Sequence, residues 1–246
     1  MTGGGPARFC HAGAMANVTE AALPAVVFDL DGTLVDSEPN YFEAGRALLE
    51  AHGVPGFTWA DHERYIGVST RETLADWRRR YGLTASLDAL VEELDDRYLA
   101  LARAGTPIFE QMALLVERLH RAGVPMAVAS GSSGSAITAV LTGTGLDDLL
   151  GPAVSAEEVP RGKPAPDVFL EAARRLGAAP VDCVVIEDAE PGVAAALAAR
   201  MRCVAVPSVP AAADDPVFSA AGLLFPDGQP SFRAAETYDW IMRVPA

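Results

Sequence analysis

Lysine is almost missing from this chain. Among 246 residues there are 19 basic side chains, and Lys163 is the single lysine, the rest being arginine. Chemistry that strictly needs an amine, such as Schiff-base formation, is therefore confined to Lys163 or the N-terminal amine. Long apolar runs are missing too: nothing approaches the roughly 18 residues of a membrane-spanning helix. Cysteine is scarce. Cys10, Cys183 and Cys203 share no metal-ligand or redox spacing, and the last two lie in apolar, strand-like runs that predict buried thiols in a reducing cytoplasm. Positive charge is short overall, with 33 acidic residues against 19 basic ones and a formal net charge of −14. Such a field repels nucleic acid and the anionic face of a membrane, so neither is expected as a partner, and a bound phosphate needs cations placed locally. Residues 1–22 are rich in Gly and Ala and lack an apolar segment of the signal-peptide kind. They are expected to be a flexible leader.

Half of the residues are apolar, enough for a sizeable core, and their pattern sets the fold class. Short apolar runs at 25–30, 124–129, 153–155, 181–186, 203–206 and 222–225 read as strands buried on both faces. Helical periodicity lies between them at 111–122, 134–145, 167–176 and 191–200. Strands alternating with helices predict an α/β fold with a doubly wound parallel sheet. One connection is too long for a simple crossover. Between the first two strands lie amphipathic stretches at 38–52, 59–64, 70–81 and 86–104, punctuated by Gly53, Pro55, Gly67 and Gly82. This predicts a core made of residues 23–36 and 106–246, with a helical domain, 37–105, inserted into it.

In doubly wound sheets ligands bind at the carboxyl ends of the strands, and the polar residues gather there. Asp29 and Asp31 follow the first strand in Asp29-Leu30-Asp31-Gly32-Thr33. Two carboxylates so close to a buried strand need a cation, or a proton on one of them. Mg²⁺, a hard ion that takes carboxylate, carbonyl and water oxygens, fits that requirement. An Asp-Gly turn without chemistry is the plainer reading of these five residues alone. Ser130-Gly131 closes the second strand, Lys163 stands in the loop Arg161-Gly162-Lys163-Pro164, and Glu187-Asp188 ends the run at 181–186. Ser130 suits either phosphate binding or a helix N-cap.

These four segments, in this order, resemble the four signatures of the haloacid dehalogenase-like superfamily, and the helical insertion resembles the cap of its phosphatase and β-phosphoglucomutase branch. The resemblance covers about residues 24–208 and implies a Rossmann-like core with a cap. It implies that Asp29 is the nucleophile, forming an aspartyl-phosphate, and that Asp31 is the general acid–base, its carbonyl also binding Mg²⁺. Asp188 is then a metal ligand, and Glu187 either a ligand or a group orienting bound water. Ser130 and the N–H of Gly131 hold phosphoryl oxygens, while Lys163 neutralises phosphate charge and ties down Asp29. With Asp29, Asp31 and Asp188 all ionised, three negative charges face three positive ones from Mg²⁺ and Lys163.

Within the superfamily the residues narrow the choice. Dehalogenases lack the second carboxylate, Asp31. Phosphonoacetaldehyde hydrolases use a cap lysine, and residues 37–105 contain none. Ion-pumping ATPases carry Thr where Asp31 stands. A phosphohexomutase of the β-phosphoglucomutase kind is the main alternative, since Asp36-Ser37-Glu38-Pro39 and Ile66-Gly67-Val68-Ser69-Thr70-Arg71 resemble its hinge and cap loop. Many of those enzymes, however, have His where Tyr41 stands and use a cap lysine. The expectation is therefore a cytoplasmic, monomeric phosphatase acting on a small phosphorylated metabolite. Arg71 is a candidate clamp for a second anionic or hydroxyl-bearing part of the substrate, with a helix-surface arginine as the plainer reading. A non-catalytic phosphate-binding module is the remaining alternative.

Overall fold

The structure, a computed structural model, describes residues 23–243 except Gly67, Ser69 and residues 210–212. The expected leader with Cys10, and Gly67 and Ser69 of the expected cap loop, lie outside the described residues.

Six parallel strands form one sheet: β1 (Ala25–Phe28), β2 (Met126–Ser130), β3 (Ala153–Ser155), β4 (Cys183–Glu187), β5 (Arg202–Ala205) and β6 (Leu223–Leu224). Their spatial order is β3-β2-β1-β4-β5-β6. The chain builds outward from β1 through β2 to β3, then returns to the far side of β1 to lay down β4, β5 and β6. The order reverses between β1 and β4, which opens a crevice beyond their carboxyl ends. Asp29 leaves β1 at that crevice and Glu187 ends β4 beside it.

The strands are apolar on both faces because both are covered. Val26, Phe28, Val128, Val184 and Ile186 belong to one buried cluster, and Ala25, Val27, Ala127, Ala129 and Val185 to another. The period-two alternation of side chains assigns successive residues to opposite layers. On the first side lie α5 (Glu110–Arg121) and α6 (Gly134–Thr144), through Met112, Leu115, Ile137 and Val140; on the second lie α7 (Asp167–Leu176) and α8 (Glu190–Ala198), through Phe169, Ala172, Val193 and Ala196.

Four helices separate β1 from α5: α1 (Glu38–Ala51), α2 (Trp59–His62), α3 (Thr70–Tyr81) and α4 (Leu87–Ala104). α4 packs on α1 and also reaches α6 of the core. The two crossings into this insertion are pinned together. Val35 bridges Ile108 in antiparallel fashion, Asp36 N–H donates to the Pro107 carbonyl at 2.8 Å, and Asn40 donates to Gly105 O and Thr106 Oγ1.

Several element ends shift from the sequence expectation for local reasons. β4 starts at Cys183, because Pro180 opens a 3-10 turn over 180–182 that leaves Val181 exposed. β2 starts at Met126, since Pro125 has no N–H to give the ladder, although its carbonyl still accepts from Val26 N–H. Between β5 and β6 lies α9 (Pro216–Ser219), and after β6 comes α10 (Ala234–Ile241), which packs on α5.

Candidate active site

Asp29 is buried, and its carboxylate receives the one lysine. Lys163 Nζ donates to Asp29 Oδ1 at 2.5 Å and to Glu187 Oε1 at 2.7 Å. The amine arrives from the loop between β3 and α7, which carries a cis Lys163–Pro164 peptide. It sits 5.0 Å from the centre of the Phe169 ring, so an apolar wall backs it. Burial alone works against the charged amine, but the carboxylates of Asp29 and Glu187 outweigh it and lift the lysine pKa above its ordinary value.

The acids outnumber that amine. Carboxylate oxygens of Asp29, Glu187 and Asp188 lie within 4.8 Å of one another, and all three residues are buried. Burial raises Asp29 well above the ordinary carboxylate range; Lys163 opposes the rise, and Glu187 and Asp188 add to it. Asp188 is pushed up to about 7, first by burial and then by Glu187. The cause is shared: three carboxylates are out of water with one amine among them. A divalent cation resolves that imbalance, and the oxygen-only donor set suits a hard ion. The residues therefore fit Mg²⁺.

Glycine makes the close packing possible at two places. Gly32 adopts φ +82°, and a Cβ there would run into the Asp188 carboxylate; a Cβ on Gly192, in the first turn of α8, would run into that of Glu187. Glu187 is held from two sides, Oε1 by Lys163 and Oε2 by the Ala189 N–H at 2.7 Å. Asp188 Oδ1 accepts from Thr33 Oγ1 at 3.1 Å.

Asp31 stands apart from this cluster. Its Oδ2 accepts from Ser132 Oγ at 2.6 Å and from Ser130 Oγ at 3.4 Å. Its Oδ1 is buried without a hydrogen-bond partner. Two tyrosines of the insertion come close. The rings of Tyr41 (α1) and Tyr98 (α4) stack with centroids 4.1 Å apart. Burial, followed by the Asp31 carboxylate, raises the pKa of both phenols, so they remain neutral donors.

The fold thus brings Asp29, Lys163, Glu187 and Asp188 into one cluster and sets Asp31 and Ser130 beside each other, with Gly131 following in the exposed turn. Ser130 is not the N-cap of α6; that role belongs to Ser133, whose Oγ accepts from Ala136 N–H. Arg71 is not drawn in among the described contacts: 61% of its side chain is exposed, and it pairs with Asp88 at 2.7 Å. Three residues escaped the sequence reading. Thr33 and Ser132 belong to the motif segments themselves and were detectable by adjacency. Gln229, which donates to the carbonyls of Gly32 and Thr33 at 3.1 and 3.0 Å, had no signal in the sequence around it.

Comparison with known proteins agrees with this geometry. The family model described as "Hydrolase: haloacid dehalogenase-like hydrolase" matches residues 23–200. The chain is 33% identical over 202 residues to a bifunctional riboflavin kinase/FMN phosphatase of Arabidopsis thaliana; the match takes in 80% of this chain but 52% of that longer protein. It is 32% identical over 206 residues to hexitol phosphatase B of Escherichia coli O157:H7, covering 83% of this chain and 92% of the relative. Among solved structures, a β-phosphoglucomutase from Clostridium difficile superposes with a TM-score of 0.66 at 25% identity, over 90% of this chain and 100% of the other.

Proposed function

Because the chain belongs to the haloacid dehalogenase-like hydrolases and is a phosphohydrolase, we propose that it hydrolyses a small organic phosphomonoester, of the sugar- or polyol-phosphate kind, through an aspartyl-phosphate on Asp29 with Mg²⁺ as cofactor. The observation that carries this reading is the pairing of the buried Asp29–Lys163–Glu187–Asp188 cluster with a separate, serine-held carboxylate, Asp31. One carboxylate is fixed as a nucleophile and the other is left to handle protons.

In this scheme Asp29 attacks phosphorus while the bond to the leaving oxygen breaks, and Asp31 gives that oxygen its proton. Water then attacks the same phosphorus, Asp31 takes the water's proton, and the aspartyl–phosphate bond breaks to release phosphate. Ser132 and Ser130 hold Asp31 Oδ2, which leaves Oδ1 as the exchanging oxygen. Ser130 and the Gly131 N–H receive phosphoryl oxygens, and Lys163 screens their charge from Asp29. Asp29, Asp188 and the Asp31 carbonyl would hold Mg²⁺, which when bound would supply the remaining positive charge. Both oxygens of Glu187 already accept protein donors, so we assign it to holding Lys163 and the start of α8. Residues 37–105 act as the cap that excludes water, and its Tyr41 and Tyr98 lie close enough to Asp31 for that carboxylate to raise their phenol pKa.

Hydrolysis is favoured over phosphohexose isomerisation because the insertion offers no lysine and places Tyr41 in the stack beside Asp31. The free thiols Cys183 and Cys203, both buried, support a reducing, cytoplasmic setting. The test is a panel of phosphomonoesters assayed for phosphate release with Mg²⁺ and with excess chelator. It includes β-glucose 1-phosphate with a glucose 6-phosphate readout. Metal-dependent release supports the proposal. Isomerisation without release replaces it with the mutase reading, and a folded protein inactive on the whole panel overturns it.

A further inference from the structure

We propose that Gln229, 197 residues from Gly32 along the chain, is a positioning residue for the metal-binding half of the site. The inference rests on the Mg²⁺ reading above and extends it to a segment outside every motif.

The turn after β1 closes on itself through two carbonyls. Gly32 N–H donates to Val35 O, while Leu34 and Val35 N–H both donate to Leu30 O. The carbonyls of Gly32 and Thr33 are not among the acceptors of that local pattern. One primary amide takes both: Gln229 Nε2 lies 3.1 Å from Gly32 O and 3.0 Å from Thr33 O. Only the amide nitrogen can donate, so two carbonyl acceptors determine which way the amide faces.

The segment that presents Gln229 is itself anchored. Phe225 and Phe232, both buried, flank it and meet edge to face at 5.1 Å. Ser231 and Phe232 N–H groups donate back to Gly228 O. The glutamine thus works as a brace from a packed corner of the core rather than as a loose surface side chain.

What it braces is the approach to Asp188. Thr33 donates its hydroxyl to Asp188 Oδ1, and Gly32 packs against the same carboxylate. The Asp31 carbonyl, assigned to the metal, belongs to the peptide immediately before Gly32. Bonds to the next two carbonyls restrict how these peptide planes turn. The phosphoryl side, Lys163, Asp29 and Ser130, is joined by other bonds. Loss of the brace therefore weakens metal binding and leaves phosphoryl transfer intact once metal is supplied.

Two variants test this: Gln229→Ala, and Gln229→Met, which keeps the length and packing but has no donor. Mg²⁺ affinity is measured by calorimetry on the full chain without substrate, and kcat and KM at saturating Mg²⁺. The expected result is an affinity about tenfold weaker in both variants, the scale seen when groups supporting metal ligands are removed, with kcat at saturating metal within about twofold of the parent. Unchanged Mg²⁺ affinity overturns the inference. So does a fall in kcat that saturating metal does not restore, and so does loss of the fold in both variants. A parent protein that binds no Mg²⁺ refutes the cofactor assignment itself. A parent that binds it, with variants that bind equally well, refutes only the role of Gln229.

Discussion

Mg²⁺ should stabilise this protein more at alkaline than at acidic pH, by an amount that follows from Asp188. Its carboxyl rises from 3.8 in the unfolded reference to about 7 in the metal-free fold, because it is buried beside Glu187. A raised carboxyl favours the fold only while protonated. Its contribution is complete below the unfolded value and is lost as pH climbs through the folded one. A difference of about three pH units is on the order of 4 kcal/mol, so the metal-free protein weakens between about pH 4 and 7. Mg²⁺ competes with the proton for the same carboxylate. Counting the Asp188 proton alone, that competition weakens apparent binding at pH 5.5 by roughly 30-fold relative to pH 8, from tenfold-per-unit behaviour, and the raised Asp29 carboxyl acts in the same direction. With the ion at about 100 times its alkaline Kd, mass action gives about 2.7 kcal/mol of stabilisation at pH 8. At pH 5.5 the same ion concentration is only about three times the apparent Kd, and about 0.8 kcal/mol remains. At roughly 2–4 °C per kcal/mol for a chain of this size, the Tm gain is about 5–11 °C at pH 8 against about 2–3 °C at pH 5.5. Scanning calorimetry with and without Mg²⁺ at both pH values reads this directly. Equal gains at the two pH values, or a larger gain in acid, would refute the reasoning. Asp188→Asn should remove most of the gain and its pH dependence.

The cluster yields three further expectations. Asp29→Asn should abolish phosphate release while circular dichroism stays unchanged, since the amide keeps the size of the side chain and an acceptor for Lys163; residual turnover at the parent rate removes Asp29 as nucleophile. Lys163→Met leaves Asp29 and Glu187 buried without their cation and should cost about 3–5 kcal/mol in urea unfolding, in addition to activity; a loss under about 1 kcal/mol shows that the carboxylates have simply taken up protons or water. Gly192→Ala puts a methyl group into the Glu187 carboxylate and should lower both stability and kcat, whereas Gly177→Ala, at φ +68° with nothing near its Cβ position, should lower stability alone; equal kcat losses in the two variants would argue against the close approach at Gly192.

Much of this molecule was legible in one dimension. Strands buried on both faces produce continuous apolar runs, so β1, β2 and β4 stood out. The helices between them and in the insertion showed their 3.6-residue period because each has one wet face. The residues at the strand ends were legible because a parallel sheet directs its strands the same way and leaves polar groups at one edge. Thus Asp29, Asp31, Ser130, Lys163, Glu187 and Asp188 were nameable before any coordinates. The single lysine narrowed the search further, since only one side-chain amine was available to stand among the acids.

Tertiary structure decided what no local pattern carries. That Lys163 bridges Asp29 and Glu187 depends on distances between separate segments of the chain, and that Arg71 pairs with Asp88 depends on how α3 meets α4. The approach of Tyr41 and Tyr98 to Asp31 depends on how the insertion closes against the core. Gln229 is the clearest case: its neighbours in sequence are turn residues with no motif, and its role exists only because Phe225 and Phe232 hold that turn against the loop after β1. Periodicity and strand-end chemistry are properties of a segment and its solvent, so they are written in the sequence. Which donor meets which acceptor depends on the packing of all the segments together, and that is set only when the core closes.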